Sequence, residues 1–510
     1  MNAPIHLRDE GATNRLGEDI ALALRRGDAL CLHGDLGAGK TCLARAIIRT
    51  ISGDPGMEVP SPTYTLCQSY DGELPLNHFD LYRLSGEDEL TELGFDEAKD
   101  EGVVIVEWPE RAISAMPGEA LHIHISITED GARDVRFQPY DNELADRVRR
   151  SLAIRAFLGR NWGEAATRQR FQGDASARRY ELVRLGEEVR ILMDAPRLPD
   201  GPPIRDGKPY SQIVHLAEDV VPFVAIDELL RTRGFAAPAL HAKSLGEGLL
   251  LLSHLGSGKI IDETGAPVRE RYLASARLLA AIHRQDWPRV VEVTGEAGES
   301  RIHEVASYDL NAMTTEASLF ADWYAPRFGG SLDARSRQDF FQIWADLATI
   351  LTGSETSLVL RDYHSPNIIW RDDEPFPSRI GLIDFQDAMI GPTAYDVASL
   401  AQDARVDISP ELERATLDAY LAERADDDGF NPETFRRDYA IMAAQRATKI
   451  LGIFVRLDQR DGKPGYLAHL PRVREYLMRS LAHPALEAYR NWCRLNAGFE
   501  PARGGEWSRK

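Results

Sequence analysis

Residues Leu360 to Asp387 read LRDYHSPNIIWRDDEPFPSRIGLIDFQD, and this stretch decides how the larger part of the chain folds. It places Asp362, Asn367 and Asp384 on two successive turns, each preceded by an apolar, strand-like segment. Phosphoryl transfer to an alcohol requires a carboxylate that orients the attacking hydroxyl and oxygen ligands that hold Mg²⁺ on the nucleotide phosphates. The order and spacing of the three residues therefore predict a kinase-type active site rather than two Asp-rich surface loops.

The composition predicts a globular chain of two or three domains. At 510 residues the chain is too long for one core, and 43% hydrophobic with 27% charged residues is typical of folded proteins. No apolar run approaches the ~18 residues that a membrane helix needs, and the opening residues lack the pattern of a secretory signal. The four cysteines form no CxxC pair, which favours reduced thiols and a cytoplasmic location.

A nucleotide-binding motif lies near the N-terminus. A short apolar strand, residues 28–33, runs into GDLGAGKT (34–41), and a helical segment follows from residue 42. This strand–loop–helix context favours a phosphate-binding loop over a glycine-rich turn, because backbone N–H groups and the helix N-terminus then surround the phosphates. Lys40 would reach the outer phosphates and Thr41 would bind Mg²⁺. The predicted ATP-binding residues are Asp35, Leu36, Gly37, Ala38, Gly39, Lys40 and Thr41.

Two acidic residues end apolar strands in the same part of the chain. Asp80 follows the segment 76–79, and Glu107 follows the segment 103–106. Ligands of open α/β sheets gather at the carboxyl ends of strands, so either carboxylate can hold the metal, directly or through water. From spacing alone, it is equally possible that each of these residues is a surface carboxylate with no role at the metal.

Five motifs make residues 1–140 resemble the TsaE family of small P-loop ATPases. They are GDLGAGKT (34–41), SPTYT (61–65), HFDLYRL (78–84), ELGFDE (92–97) and VEWPE (106–110). The family is required for threonylcarbamoyl modification of the adenosine beside the anticodon in certain tRNAs. The resemblance implies that Thr41 and Glu107 bind Mg²⁺ and that Asp80 assists hydrolysis or metal binding. It also implies that residues 61–65 act as a nucleotide-sensing switch.

The same resemblance extends to the nucleotide base and to partner proteins. It implies that Glu10 and Thr13 lie near adenine and that Arg133 approaches the nucleotide, although short polar segments also serve as turns and helix caps. Trp108 either packs near the site or, as favoured here, belongs to the core. Family members act with a carbamoyltransferase subunit and its paralogous partner, so ATP turnover would reset a protein complex. The net charge of −20 fits a chain that meets tRNA only indirectly.

A helical segment, residues 142–158, follows the predicted N-terminal domain. Its arginines could touch RNA, but a solvated helix face is the favoured interpretation; they are Arg147, Arg149, Arg150 and Arg155. We place the domain boundary in this region. The predicted domains span residues 1–140 and 150–500.

The nucleotide-binding elements of the second domain are less regular than its catalytic motif. The turn Gln172–Tyr180 would cover the phosphates, but with one glycine it is equally typical of an ordinary hairpin. The next strand has Met193 and Asp194 where a kinase-like fold places a phosphate-pairing lysine. Either Arg178 or Arg179 neutralises the phosphates instead, or the site is impaired.

Residues 150–495 resemble the aminoglycoside-phosphotransferase and choline-kinase superfamily, and within it the AmgK-type cell-wall sugar kinases. The motifs are GDASARRY (173–180), ILMDAP (191–196), LRDYHSPNIIW (360–370), IGLIDFQDA (380–388) and GPTAYDVASL (391–400). Those kinases phosphorylate the anomeric hydroxyl of N-acetylmuramate and N-acetylglucosamine during peptidoglycan recycling. The resemblance implies that Asp362 is the general base and that Asn367 and Asp384 hold Mg²⁺. Because ILMDAP fits this subgroup, the missing lysine counts less against activity.

Four further polar residues of the second domain could be functional or structural. For three of them the sequence leaves two roles open, and the fourth is expected to be structural. Arg446 and Lys449 could meet a sugar carboxylate, although a solvated basic face is favoured. His283 lies near a helix end and is expected to be structural. Asp396 either ties the catalytic loop to the next helix or caps that helix.

The predicted fold is an α/β P-loop NTPase domain followed by a two-lobed α+β protein-kinase-like phosphotransferase domain. The favoured function is bifunctional, with ATP and Mg²⁺ at two separate sites: one drives tRNA modification and the other phosphorylates an amino sugar. The second domain could instead be a regulatory pseudokinase or a choline- or aminoglycoside-type kinase. A nucleoside kinase in the first domain would need an arginine-bearing lid, for which the segment after Glu107 offers little room.

Overall fold

The computed structural model describes residues 3–84, 86–138, 142–171, 178–197, 199, 201–296 and 298–499. The chain divides into two units, Met1–Met193 and Asp194–Lys510. The predicted domain limits of 1–140 and 150–500 remain a proposal. The predicted turn Gln172–Tyr180 lies largely outside the described residues.

The first unit alternates strands and helices. Its strands are β1 (Ile5–Leu7), β2 (Ala29–His33), β3 (Cys67–Tyr70), β4 (Leu76–Asp80), β5 (Val103–Glu107), β6 (Leu121–Ile127), β7 (Arg133–Gln138), β8 (Thr167–Phe171), β9 (Arg179–Leu185) and β10 (Glu188–Asp194). Its helices are α1 (Glu10–Ala23), α2 (Lys40–Ser52), α3 (Asp88–Glu92), α4 (Phe95–Glu101) and α5 (Glu143–Asn161).

Seven of these strands form one sheet in the order β1-β7-β6-β2-β5-β4-β3. Strand β2 runs parallel to β5 and β6, and β4 runs parallel to β5. Successive side chains of a strand point to opposite faces, so Leu30 and Leu32 join one apolar core with helices α1, α2 and α5. Cys31 joins a second core with α3 and α4 on the other face. Burial on both faces explains why β5 is apolar from Val103 to Val106.

The parallel strands determine where the polar motifs meet. The carboxyl ends of β2, β4 and β5 lie at one edge of the sheet. The phosphate-binding loop follows β2, and Asp80 and Glu107 are partners in the register of β4 and β5. The predicted α/β P-loop fold of this unit is confirmed.

The second unit is mainly helical, with short strand pairs. Its strands are β11 (Pro203–Arg205), β12 (Lys208–Pro209), β13 (Leu240–Ser244), β14 (Leu249–Ser253), β15 (Val290–Thr294), β16 (Ser300–Glu304), β17 (Thr356–Val359), β18 (Ile368–Trp370), β19 (Ile380–Leu382) and β20 (Met389–Pro392). Its helices are α6 (Tyr210–Ile213), α7 (Val221–Thr232), α8 (Arg269–His283), α9 (Leu310–Leu319), α10 (Ala325–Phe328), α11 (Ala334–Leu351), α12 (Ala394–Ala401), α13 (Pro410–Arg424), α14 (Pro432–Gln459), α15 (Leu470–Ser480) and α16 (Glu487–Asn496).

Two antiparallel pairs frame the catalytic motif. Strand β17 pairs with β20, and β18 pairs with β19. The loop that carries Asp362 leaves β17, and the loop that carries Asp384 leaves β19. The long helix α14 packs against α9, α12 and α15, and so supplies one wall behind these loops. The predicted kinase-like architecture of this part of the chain is confirmed.

The four cysteines are free thiols, as predicted from their spacing. Among the described residues, no helix combines the length and the apolar character that crossing a membrane requires.

Candidate functional sites

Glycine shapes the phosphate-binding loop through its backbone. Gly34 has a φ of 145°, and a Cβ atom there would lie 2.4 Å from the carbonyl oxygen of Ile125. Gly39 has a φ of 109° and directly precedes α2. Only glycine adopts such angles without strain. The loop therefore brings its backbone N–H groups to the N-terminus of α2, which is the arrangement that binds phosphate oxygens.

Lys40 folds back over this loop. Its Nζ donates to the carbonyl oxygens of Gly34 at 2.7 Å and Asp35 at 3.1 Å. The same ammonium lies 3.6 Å from the ring centre of Trp108, a cation–π contact. Burial lowers the pKa of Lys40, although nearby carboxylates, Glu107 foremost, act to raise it. Trp108 also packs against the apolar core. It therefore has the core position favoured from the sequence and also contacts the phosphate-binding loop through Lys40.

Thr41 and Glu107 meet as the metal-binding prediction requires. The Thr41 hydroxyl donates to Glu107 Oε2 at 2.9 Å. The other oxygen of Glu107 lies 2.9 Å from Nε2 of His78, a buried residue that the sequence reasoning missed. His78 stands two residues before Asp80 on β4, so period-2 alternation places it on the same face and could have identified it.

Asp80 is tied to the predicted switch segment. Its Oδ2 accepts hydrogen bonds from the hydroxyls of Ser61 and Thr63, both at 2.6 Å. Its Oδ1 accepts from the backbone N–H of Tyr82 at 3.1 Å. A carboxylate bonded to a loop in this way can transmit a change at the phosphates to residues 61–65.

A cavity of about 330 Å³ lies beside the phosphate-binding loop. The residues predicted to approach the nucleotide line it together with loop residues; they are Glu10, Thr13, Arg133, Ala38 and Gly39. Arg133 Nε donates to the carbonyl oxygen of Ala38 at 3.1 Å. Asp9 caps α1 by accepting from the N–H of Ala12 at 2.7 Å, so the segment also has the capping role that the sequence left open.

The prediction of a solvated arginine face on α5 is wrong for two residues. Arg147 bonds Asp28 at 2.6 Å, and Arg155 Nε bonds Asp19 at 3.0 Å. Helix α5 packs on α1, so these arginines face carboxylates of the first unit rather than water. Their contacts are structural.

The second site brings its three predicted residues together. The amide nitrogen of Asn367 donates to the backbone carbonyl of Asp362 at 2.9 Å and to Asp384 Oδ2 at 3.4 Å. Gln386 donates to Asp384 Oδ1 at 3.1 Å. The Asp362 side chain is 41% exposed, so a substrate hydroxyl can reach it. The three residues form one constellation, as their order in the chain predicted.

The loop that carries Asp362 is held by buried charges. Asp396 accepts from the backbone N–H of Leu360 at 2.6 Å and of Arg361 at 2.9 Å, so it ties the loop to α12. Arg361 and Asp384 both have positive φ, 67° and 60°. Such strained backbone persists only where surrounding bonds hold it. Arg361 is held by Val214 and by Glu316, with which it forms an ion pair.

Glu316 is the second residue that sequence reasoning missed. It is completely buried in α9 and accepts from Lys449 at 2.8 Å, Tyr308 at 2.9 Å and Gln445 at 3.0 Å, in addition to Arg361. Burial would raise the pKa of Glu316, but the charges of Lys449 and Arg361 outweigh it and lower the pKa to about 2. A lone carboxylate inside the otherwise uncharged segment 310–319 was the available signal.

Electrostatics keep Asp362 ionised. Partial burial would raise the pKa of Asp362, but nearby positive charges, that of Lys449 foremost, lower it to about 2. Burial lowers the pKa of His364 to about 4, so at neutral pH this imidazole is uncharged and can accept from Arg405 at 3.3 Å. An ionised carboxylate is the state that a general base requires.

Helix α14 does not present the solvated basic face that the sequence favoured. Arg446 is buried, and Lys449 is bonded to Glu316 and to the hydroxyl of Tyr395. His283 is structural, as predicted: it is buried, and its Nδ1 lies 2.9 Å from the hydroxyl of Tyr420.

Both sites suit a metal that the nucleotide helps to bind. Within the described ranges, no group of three or more His, Cys, Asp or Glu side chains could hold a metal ion. Mg²⁺ at nucleotide sites is bound by one or two carboxylates together with phosphates and water, so it needs no all-protein cage. The hydroxyl and carboxylate of Thr41 and Glu107, and the oxygens of Asn367 and Asp384, are donors of the type that Mg²⁺ prefers.

Two protein families match separate parts of the chain. The family described as "Threonylcarbamoyl adenosine biosynthesis protein TsaE" matches residues 7–135, and the "Phosphotransferase enzyme family" matches residues 167–432. The TsaE protein of Rickettsia felis is 34% identical over 128 residues, which are 25% of this chain and 74% of that protein.

Two sugar kinases each match about two thirds of the chain. The N-acetylmuramate/N-acetylglucosamine kinase of Caulobacter vibrioides is 36% identical over 355 residues, 67% of this chain and 95% of that protein. The kinase of the same name from Pseudomonas aeruginosa is 32% identical over 356 residues, 68% of this chain and 93% of that protein.

Proposed function

Because the chain belongs both to the TsaE family and to the phosphotransferase enzyme family, we propose that it joins two ATP-dependent activities. The first is the ATPase step of tRNA threonylcarbamoyladenosine biosynthesis. The second is phosphorylation of the anomeric hydroxyl of N-acetylmuramate and N-acetylglucosamine. Both consume ATP with Mg²⁺, and the sugar kinase would serve cell-wall recycling in the cytoplasm.

The observation that carries the kinase proposal is the bridge of Asn367 between the two aspartates. Asp362, ionised and partly exposed, would accept the proton of the anomeric hydroxyl as the oxygen attacks the γ-phosphate. With its nitrogen used in the bridge, Asn367 offers its amide oxygen, and with Asp384 it would hold Mg²⁺. The ion supplies charge neutralisation on the phosphates when bound.

In the first site, the backbone of the phosphate-binding loop and Lys40 would hold the phosphates. Thr41 and Glu107 would hold Mg²⁺, and Asp80 would orient the attacking water or the metal shell. The bonds of Asp80 to Ser61 and Thr63 would then report the state of the nucleotide to the surface. We propose that a carbamoyltransferase subunit and its paralogous partner read this surface and bind the tRNA.

A regulatory pseudokinase is the second candidate, because Met193 is completely buried and offers no charge to the phosphates. A substrate panel decides between the two. The full chain is incubated with ATP, Mg²⁺ and each amino sugar, choline or an aminoglycoside, and the phosphorylated product is measured directly. The proposal predicts sugar 1-phosphates and little other product. Absence of every phosphorylated product from the folded chain would favour the pseudokinase.

The first activity needs its own test. The full chain is combined with a carbamoyltransferase subunit, its paralogous partner, tRNA, ATP and activated threonylcarbamoyl donor, and modified adenosine is quantified. Lys40→Ala should abolish product formation, whereas Asp362→Ala should leave it unchanged. Modification that proceeds equally without this chain would refute the proposed role.

A further inference from the structure

Four arginines in the described part of the chain are more than nine-tenths buried, and Arg446 is the one among them that has no carboxylate partner. The other three each pair with a carboxylate, in the pairs Arg168–Asp19, Arg361–Glu316 and Arg424–Glu355. Among the described residues, no oxygen accepts a hydrogen bond from Arg446 and no carboxylate forms an ion pair with it. A guanidinium that is 5% exposed thus has no carboxylate within ion-pair distance among the described residues.

An unpaired cation at this depth is costly unless another interaction offsets the lost hydration. The ring of Tyr395 lies 5.4 Å from the guanidinium carbon and supplies part of that offset. Solvent still reaches the guanidinium nitrogens, which are not among the fully buried, unpartnered atoms. The donors of Arg446 therefore open onto accessible space rather than into the core.

That space adjoins the proposed general base. Arg446 lies over the ring of Tyr395, and the next residue in the chain, Asp396, accepts hydrogen bonds from the backbone N–H groups of Leu360 and Arg361, which directly precede Asp362. Lys449, one turn further along α14, is bonded to Glu316 and is not available in the same way. The sequence suggested Arg446 and Lys449 of α14 as ligands for a sugar carboxylate. In the described part of the structure, Arg446 is the one of the two that is not bonded to a protein carboxylate.

We propose that Arg446 binds the lactyl carboxylate of N-acetylmuramate and sets the preference of the kinase between its two acceptor sugars. The inference rests on the proposed kinase function. A guanidinium presents paired donors that match the two oxygens of a carboxylate. N-acetylglucosamine lacks that carboxylate, so the contact is made with one acceptor only. The Mg²⁺ that would accompany the nucleotide phosphates is assigned to Asn367 and Asp384, so Arg446 is not needed for that role.

The test compares the two sugars in the full chain. Arg446→Met should lower kcat/KM for N-acetylmuramate about 10- to 100-fold, the value of a charge-assisted hydrogen bond, and change kcat/KM for N-acetylglucosamine less than about threefold. Arg446→Lys should recover part of the loss. Arg436→Met, on an exposed part of the same helix, is the matched control and should alter neither value.

A second measurement needs no substitution and so stands even if Arg446→Met fails to fold. The wild-type chain should prefer N-acetylmuramate over its neutral methylamide about 10- to 100-fold, and a folded Arg446→Met should lose that preference. Equal loss with both sugars, or no preference for acid over amide, would overturn the role of Arg446 alone. Phosphorylation of neither sugar by the wild type would overturn the proposed kinase function as well.

Discussion

Arg168 and Asp19 form a buried ion pair, with Nη1 2.6 Å from Oδ1. Asp19 lies on α1, in the segment that matches the TsaE family, whereas Arg168 lies on β8, at the start of the segment that matches the phosphotransferases. Arg168 also bonds both oxygens of Glu181, at 2.7 and 2.8 Å, and Arg155 bonds Asp19. The two family segments therefore share one buried ionic cluster within the first unit.

Removal of Arg168 should destabilise this unit strongly. Arg168→Met leaves Glu181 buried without its partner, and breaking a buried pair costs about 3–5 kcal/mol. Chemical denaturation measures the loss of unfolding free energy. The exposed pair Arg436–Asp418 is the control, since Arg436→Met should cost less than about 1 kcal/mol. Similar small losses in both variants would contradict the structural importance of the cluster.

Because of this ionic cluster, the kinase activity should be measured on the full chain rather than on a C-terminal fragment. A fragment that begins near residue 150 lacks Asp19, so Arg168 loses a buried partner. Such a fragment could lose kinase activity through instability alone. The experiments above therefore use the full chain.

Acid should weaken the second unit through Glu316. Its pKa is lowered to about 2 from an ordinary value near 4.5, so its contribution to stability is complete above about pH 4.5 and is lost as the pH falls towards 2. Glu316→Gln removes that contribution at every pH. The difference in unfolding free energy between wild type and variant should be largest near pH 7 and narrow below pH 4.5. A difference that stays constant from pH 7 to pH 3 would refute the assigned ion pairs.

Glu107→Gln should disable the first site without affecting the second. The substitution keeps the shape but removes the negative charge that faces Thr41 and His78. We expect ATP hydrolysis to fall at least about 100-fold, because the metal loses a charged ligand or an electrostatic partner. Sugar phosphorylation should be unchanged. Glu101→Gln, at the exposed end of α4, is the control; a comparable loss there would show a nonspecific effect.

Asp396→Ala should loosen the loop of the proposed base. The backbone N–H groups of Leu360 and Arg361 lose their acceptor in a buried position, which costs about 2–6 kcal/mol in total. Sugar phosphorylation should fall with the loosened loop, whereas ATP hydrolysis by the first site should persist. Full kinase activity in a folded Asp396→Ala chain would show that the hydrogen bonds from Asp396 are not needed to position the loop of Asp362.

Much of both sites could be predicted because their chemistry is local in sequence. The loop 34–41 requires glycine at fixed positions, and Asp362 and Asn367 lie five residues apart on one turn. Strand ends then placed Asp80 and Glu107 at one sheet edge. These features depend on short stretches of chain, which a sequence displays directly.

The missed features depend on distant pairs. Glu316 meets Arg361 across 45 residues and Lys449 across 133, and nothing in a helical pattern indicates such partners. The arginines of α5 and α14 have the spacing of a solvated face, yet α1, α9 and α12 cover them. Tertiary packing decides whether a periodic charge is exposed, so periodicity alone misassigned Arg155 and Lys449.

Parallel measurement of ATP hydrolysis and sugar 1-phosphate formation in Lys40→Ala and Asp362→Ala tests whether the chain has two independent ATP-dependent sites. Lys40→Ala should lose ATP hydrolysis and keep sugar phosphorylation. Asp362→Ala should keep ATP hydrolysis, and its sugar phosphorylation should fall at least about 100-fold because a general base is lost. Loss of both activities in either folded variant would contradict two independent sites.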